Sequence, residues 1–182
     1  DDPRQIDWKT YARTDRLHVR LREEETNMRV TILLDKSSSM EYRSRPGLMT
    51  KWDYARSLAA ALLLFLNRQR DAAELGFAGD GLESLTNGGG SRLSRLHTLT
   101  SMLDRPADSR KSDVAVAVDE LAGRVRKRSI VIIISDFYES PGRLSDALGR
   151  LRHGRCETLL FQTLDPVEMD LRLGGSGVFE EM

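Results

Sequence analysis

The chain is poor in several things, and each shortage excludes a class of protein. It has one cysteine, Cys156, in 182 residues, so no internal disulfide can form, which fits a reducing compartment. Its three histidines, His18, His97 and His153, lie far apart and show no zinc-ligand spacing. Neither sign of charge is in surplus: 28 Lys and Arg face 28 Asp and Glu, which removes the main electrostatic argument for nucleic acid. The longest apolar run is Leu58 to Leu66, far short of the roughly 20 residues that span a bilayer. No signal-peptide pattern is visible, and the opening "DDPRQIDWK" reads like the middle of a protein. The expected location is the cytoplasm, with any membrane tether supplied by a segment upstream of this chain.

What is present is an ordinary globular composition, 31% charged and 40% hydrophobic, in a length that suits about one domain. "RLHVRLREEE" alternates Leu17, Val19 and Leu21 with charged residues, the period of a half-exposed strand. Glu23 to Glu25 then read as its solvated end. "MRVTILL" (28–34) and "SIVIIIS" (129–135) are more uniformly apolar, as buried central strands are. The spacing of Ala55, Leu58, Ala59, Leu62, Leu63 and Leu66 predicts a helix over 52–70. Val114, Ala117, Val118, Leu121, Ala122 and Val125 form a second helical stripe, with Ser112 expected as its N-cap. A weaker helix is expected around Leu93, Leu96 and Leu103. Ser140-Pro141 should open another. "AAELGFAG" (72–79) and "ETLLFQT" (157–163) read as strands, and "GLESLTNGGG" as a hairpin arm with a glycine turn. Strands thus alternate with helices, which predicts an α/β fold with a mostly parallel sheet.

Two of the apolar strands end in aspartate, Asp35 and Asp136. Ligands of such sheets collect at the carboxyl ends of the strands, so both carboxylates should share one edge. Three serines follow Asp35 in "LLDKSSSM", and three chemistries compete for them. A serine nucleophile needs a base and usually a Gly-x-Ser-x-Gly elbow; Lys36-Ser37-Ser38 has no flanking glycine. An aspartyl nucleophile of the phosphatase kind needs a second aspartate two residues on as general acid, where this chain has Ser37. The third reading, a metal ion, uses all the residues. Asp35, Ser37 and Ser39 alternate, so three oxygens face one side of an extended loop. Asp136 approaches from the next strand end, and Ser112 opens a helix after a loop on that edge. Hard oxygens of this kind suit Mg2+, with Mn2+ or Ca2+ as substitutes. The bland alternatives are turn serines at 37 and 39 and a simple cap at 112. Gly88 to Gly90 lack the lysine of a phosphate loop and read as a turn. Trp8 and Tyr11 read as aromatics docked on a core.

Asp-x-Ser-x-Ser, a later loop hydroxyl and a strand-end aspartate resemble the metal-ion-dependent adhesion site (MIDAS) of von Willebrand factor A domains. With "RQIDWKTYART", "LLDKSSSM" and "KWDYARSLAAALLLFLNRQRD", the chain looks like the bacterial domain-of-unknown-function-58 family over nearly all of residues 1 to 165. The resemblance implies a Rossmann-like von Willebrand factor A fold with helices on both faces of the sheet. It implies metal ligation by Asp35, Ser37, Ser39, Ser112 and Asp136. Ser112 stands where the family usually has threonine, which keeps the hydroxyl and loses the methyl that restricts its rotamer. Asp113, next to it, is a candidate helper. Lys36 and Ser38 should point away.

The reading that follows is a non-enzymatic protein-interaction domain whose cation takes an exposed Asp or Glu of a protein partner. No catalytic residue is assigned. The loop "EYRSRPGLMTK" should add the positive charge of Arg43, Arg45 and Lys51 near the ion and favour an acidic partner. The resemblance implies a MoxR-type AAA+ ATPase as partner, in a chaperone-like or assembly system. The competing reading from another class is a metal-dependent phosphohydrolase. The expected organisation is a flank with an edge strand or hairpin arm over 1–27, the von Willebrand factor A-like domain over 28–165, and a tail over 166–182.

Overall fold

The computed structural model describes residues 28–107, 112–138 and 140–170. Strand β1 (Arg29–Asp35) leads through a short 3-10 turn (Ser38–Glu41) and a loop to α1 (Lys51–Gln69). Then come β2 (Ala72–Ala78), β3 (Leu82–Thr86), α2 (Arg92–Met102) and α3 (Val114–Ala122). The chain continues with β4 (Ile130–Ser135), α4 (Pro141–His153), β5 (Glu157–Gln162) and a single-turn α5 (Pro166–Asp170). The five strands form one sheet in the order β3-β2-β1-β4-β5. All neighbours are parallel except β3, which runs antiparallel to β2 as the hairpin reading expects.

The period of two in β1 and β4 explains why the sheet is covered on both faces. Val30, Ile32 and Leu34, with Ile132 and Ile134, pack under α1 and α2 against Ala55, Ala59, Leu63 and Leu99. Leu33, Val131 and Ile133 point the other way, into a second core with Val114, Val118 and Leu121 of α3 and Ala147 and Leu151 of α4. Each fully buried aliphatic side chain contributes about 1.5–3 kcal/mol relative to exposure. The α/β class, the mostly parallel sheet and the helices on both faces are therefore as the sequence predicts. So is the pairing of residues 28–34 with 129–135, with Leu34 opposite Ile134.

Two local details, the start of α1 and the cap of α3, differ from the sequence reading. Helix α1 begins at Lys51 rather than at 52, because Thr50 caps it: its hydroxyl accepts from the Asp53 amide and Asp53 accepts from the Thr50 amide, a capping box. Helix α3 is capped by Asp113 rather than Ser112, the Asp113 carboxylate accepting from the Val116 amide at 3.0 Å. Strand β5 is an exposed edge, with Leu159, Leu160 and Phe161 all open to solvent. The glycine turn is as read: Gly88, Gly89 and Gly90 have φ of 76°, 59° and 68°, where a side chain would be strained. The expected edge strand over 16–25 and the glycine-rich tail beyond 170 lie outside the described residues.

Candidate functional site

The topology places the site. From β1 the chain passes to β2 on one side and later to β4 on the other, so a crevice opens beyond the carboxyl ends of β1 and β4. Asp35 closes β1 and Asp136 follows directly on β4, and both are buried. Two strand-end carboxylates thus flank one switch point.

Asp35 is held by neutral donors. The Ser37 amide donates to Oδ1 at 2.8 Å, and the Ser135 hydroxyl donates to Oδ2 at 2.6 Å. Burial pushes its carboxyl above the usual 3.8, the charge on Asp136 adds to the rise, and the hydroxyls of Ser135 and Ser112 and the Ser37 amide pull against it. Ser37 Oγ and Ser39 Oγ lie 2.8 Å apart on the short 3-10 turn. The Ser112 hydroxyl is buried and lies near enough to Asp35 to act on it, yet no hydrogen bond of good geometry satisfies it. Such an orphan is costly in a native interior and calls for an explanation. These pairwise relations join Asp35, Ser37, Ser39, Ser112 and Asp136 at one end of the sheet.

Asp136 is held differently. Lys51 Nζ donates to its Oδ2 at 2.8 Å and to Glu168 Oε1 of α5 at 2.9 Å. The ammonium lies 4.7 Å from the centre of the Tyr138 ring and 5.8 Å from that of Tyr42. Tyr138 in turn has its phenol pushed up to about 12, by desolvation first and then by its hydrogen bond to Glu168. Between Asp136 and Tyr138, Phe137 takes φ of 55°, the left-handed region that costs an L-residue roughly 1–2 kcal/mol. Its amide is fixed by the Ser135 hydroxyl at 2.8 Å. Ser135 therefore serves both arms of the site, accepting from the backbone of Phe137 while donating to Asp35.

The loop 42–50 is closed at its neck by the Lys51 amide donating to the Tyr42 carbonyl at 3.2 Å. Its Ser44 amide is pinned to Asp165 Oδ2 at 3.0 Å. Arg43 and Arg45 are exposed on this loop. Lys51 is not: it is buried, which corrects its reading as a loop cation available to a partner. Asp113 is occupied by capping α3 and by an ion pair with Arg143, so it is turned from the helper role expected for it. Lys36 does point away, to Glu83 of β3 at 3.0 Å. Beside the site, Leu48, Met49, Tyr54, Leu164, Pro166 and Met169 line an open groove of about 510 Å³ with Lys51 and Asp165 on its wall. His97 is exposed on α2, where it shares a groove with Arg56 and Asp104 and with no residue of the serine turn.

The oxygen donors fit a hard divalent cation. Among the described residues no cluster of three or more His, Cys, Asp and Glu is built to hold a metal, so any ion here depends on the serine hydroxyls. The paired Ser37 and Ser39 hydroxyls and the orphaned Ser112 hydroxyl are such donors, gathered beside Asp35. Sequence reasoning placed Lys51 near the ion but missed its burial and its pairing with Asp136, and it missed Ser135, Tyr138 and Glu168. Lys51 carried a signal in hindsight: Thr50-x-x-Asp53 is a capping box, and it puts a lysine at the first position of a helix.

Residues 1–181 match the family described as "Protein of unknown function DUF58". The chain belongs to that family. An uncharacterized protein of Mycobacterium tuberculosis is 31% identical over the whole chain, and so is one of Mycobacterium bovis. The chain spans about half the length of these curated relatives, 56% of each. Among solved structures, it is similar to the conserved hypothetical protein BatB of Bacteroides thetaiotaomicron, with a TM-score of 0.55 and 18% identity over 74% of this chain and 66% of that one. It is also similar to an aerotolerance-related membrane protein of Bacteroides fragilis, with a TM-score of 0.57 and 13% identity over 85% of this chain and 77% of that one. These likenesses concern the fold. The arrangement itself is Rossmann-like, a mostly parallel sheet in the order β3-β2-β1-β4-β5 with helices on both faces. Among the described residues no helix is long and apolar enough to cross a membrane.

Proposed function

We propose that this DUF58 domain is a non-enzymatic, metal-dependent protein-interaction module. Asp35, Ser37, Ser39, Ser112 and Asp136 would hold a divalent cation, Mg2+ first and Mn2+ or Ca2+ as substitutes. When bound, the cation supplies an electrophilic centre that accepts a carboxylate oxygen from an Asp or Glu of the partner. The observation that carries this reading is the buried, unsatisfied Ser112 hydroxyl beside Asp35 and the Ser37–Ser39 pair. Four oxygen-bearing side chains gather there, and the Ser112 hydroxyl among them has no hydrogen-bond partner.

The chain's own residues favour binding over turnover. Both oxygens of Asp35 already accept hydrogen bonds, which disfavours it as a nucleophile. The other carboxylate, Asp136, is tied to Lys51 and stands ready to orient rather than to move a proton. Arg43 and Arg45 would steer an acidic partner toward the site. The family resemblance makes a MoxR-type AAA+ ATPase the first partner to try, in a chaperone-like or assembly system.

Two measurements test the reading. Millimolar Mg2+ or Mn2+ should raise the melting temperature over that in chelator, since a ligand at 100 times its Kd stabilises by about 2.7 kcal/mol. Asp35→Ala should abolish the rise. A MoxR-type ATPase should co-purify with the domain in Mg2+ and be released by chelator, with the far-ultraviolet circular dichroism unchanged. Partner affinity that is identical with Mg2+ and with chelator would refute the metal bridge, and turnover of a generic phosphoester by the pure protein would favour the phosphohydrolase instead.

A further inference from the structure

The residue that fits least well with its local surroundings is Lys51. It occupies the first position of α1, the positive end of a helix dipole, where a cation is disfavoured and an acid is the usual choice. Its side chain is only 3% exposed, although an unpaired buried ammonium costs several kcal/mol. Something must outweigh both terms. The compensation is specific: two carboxylates at 2.8 and 2.9 Å, Asp136 and Glu168, and the ring faces of Tyr138 and Tyr42. One of those carboxylates is a proposed metal ligand; the other comes from α5, more than a hundred residues away in sequence. A break of local rules so fully compensated marks a position that the site requires.

We propose that Lys51 is the built-in counter-cation of the site: it holds Asp136 when no metal ion is bound and so sets how strongly the site takes one. This rests on the divalent-site reading above. Lys51 is a positioning residue, since it acts on the ion through Asp136. Its single positive charge is divided between Asp136 and Glu168, so Asp136 is neutralised only in part and keeps negative charge to offer. Asp136 and Asp35 can therefore stand together at one sheet edge without a metal, and the domain need not wait for an ion to fold. The same arrangement weakens ion binding, because a divalent cation that takes hold of Asp136 enters beside a charge of its own sign. Glu168 tunes the effect: the more of the ammonium it claims, the more of Asp136 is left for the ion.

The two partners of the network give opposite forecasts. In Lys51→Met the metal-free domain should melt at a lower temperature than wild type, and Mn2+ should raise that temperature by more than it does in wild type. Calorimetric titration should show Mn2+ binding at least about tenfold more tightly, the scale of about 1.4 kcal/mol in an equilibrium constant. In Glu168→Gln the ammonium falls undivided on Asp136, and Mn2+ should bind several-fold more weakly than in wild type. A lysine that merely braces α5 against the sheet would shift both variants in the same direction. Shifts of the same sign, or Mn2+ affinity in Lys51→Met equal to that of wild type, would overturn the proposal while leaving the metal reading standing. Silence toward Mn2+ in wild type with binding in Lys51→Met would support it, as a site masked by its own lysine. Silence in both would end the proposal and the metal reading together. Should Lys51→Met fail to fold, Glu168→Gln decides alone, and unchanged or tighter Mn2+ binding there overturns the idea.

Discussion

Asp35 and Asp136 end neighbouring strands of one sheet, and the protein holds them by opposite means. Asp35 is held by neutral dipoles, chiefly an amide from Ser37 and a hydroxyl from Ser135. Asp136 meets a full charge, the Lys51 ammonium, with a long 3.4 Å contact from the Tyr138 amide as its other support. Neutral donors stabilise a carboxylate without cancelling its charge, and burial raises the pKa of Asp35 in spite of them. A buried ion pair fixes its carboxylate in place and ties it to the rest of the fold. The difference separates two tasks. The Asp35 arm, with its serines, is the side equipped to take up a cation. The Asp136 arm is the side wired to α5 and the loop 42–50.

The largest expected effect lies on the charged arm. Asp136→Ala leaves Lys51 buried with Glu168 as its remaining partner, and breaking a buried pair typically costs about 3–5 kcal/mol. The retained bond to Glu168 at 2.9 Å should place this case at the lower end. Urea unfolding in chelator would measure it. Asp35→Ala should cost far less under the same conditions, because it leaves hydroxyl and amide donors that are cheaper to strand than an ammonium. Equal losses at the two positions would erase the distinction between the arms.

Ser135 joins the arms, and the next effect is there. Its hydroxyl donates to Asp35 at 2.6 Å and accepts from the Phe137 amide at 2.8 Å, in a position with no solvent access. Ser135→Ala removes both bonds and releases the constraint on a left-handed Phe137. Leaving a buried donor unsatisfied costs about 1–3 kcal/mol, so a loss of about 2 kcal/mol is expected in the same unfolding assay. The variant should also weaken any Mn2+ response, since Asp35 loses its orientation. A Ser135→Ala protein as stable as wild type would mean that the strand end holds its shape without the hydroxyl.

The two arms also differ in how well the sequence announces them. The Asp35 arm is local: Asp35, Ser37 and Ser39 alternate within five residues, and a period of two reads directly from the chain. The sheet was equally legible, because "MRVTILL" and "SIVIIIS" have no polar face to place on an edge. The Asp136 arm is not local. Lys51 is buried by contacts to residues 136 and 168, and the capping box around it sets it on a helix without showing that it is buried while Arg43 and Arg45 are exposed. Ser135 looked like one more residue of an apolar strand, because its role depends on facing Asp35, a hundred residues away in sequence. Serine caps helices well, which makes Ser112 the expected cap; Asp113 caps as readily, and its taking the task leaves the Ser112 hydroxyl unsatisfied beside Asp35. Local rules thus recovered the elements and the first half of the site, while long-range electrostatics decided the second half.

The smallest expected effect has the opposite sign from the others, and it tests whether Asp35 waits for a cation. Its folded pKa is raised above the ordinary 3.8, mainly by burial. Between those two values the folded state binds more protons than the unfolded one, so the contribution of Asp35 to stability falls as pH rises through that window. At neutral pH, without metal, Asp35 is therefore a net burden on the folded state. Asp35→Asn keeps the shape and an acceptor for the Ser37 amide while removing the charge. In chelator at neutral pH it should be more stable than wild type, by something on the order of 1 kcal/mol, a typical size for a single substitution. The advantage should shrink as the solution is acidified toward the window in which the wild-type carboxyl takes its own proton. With Mn2+ the order should invert, because only the wild type has a charge to give the ion. An Asn variant that is less stable than wild type at neutral pH in chelator would show that the serines and the amide already satisfy the charged carboxylate, and that Asp35 has no need of a cation.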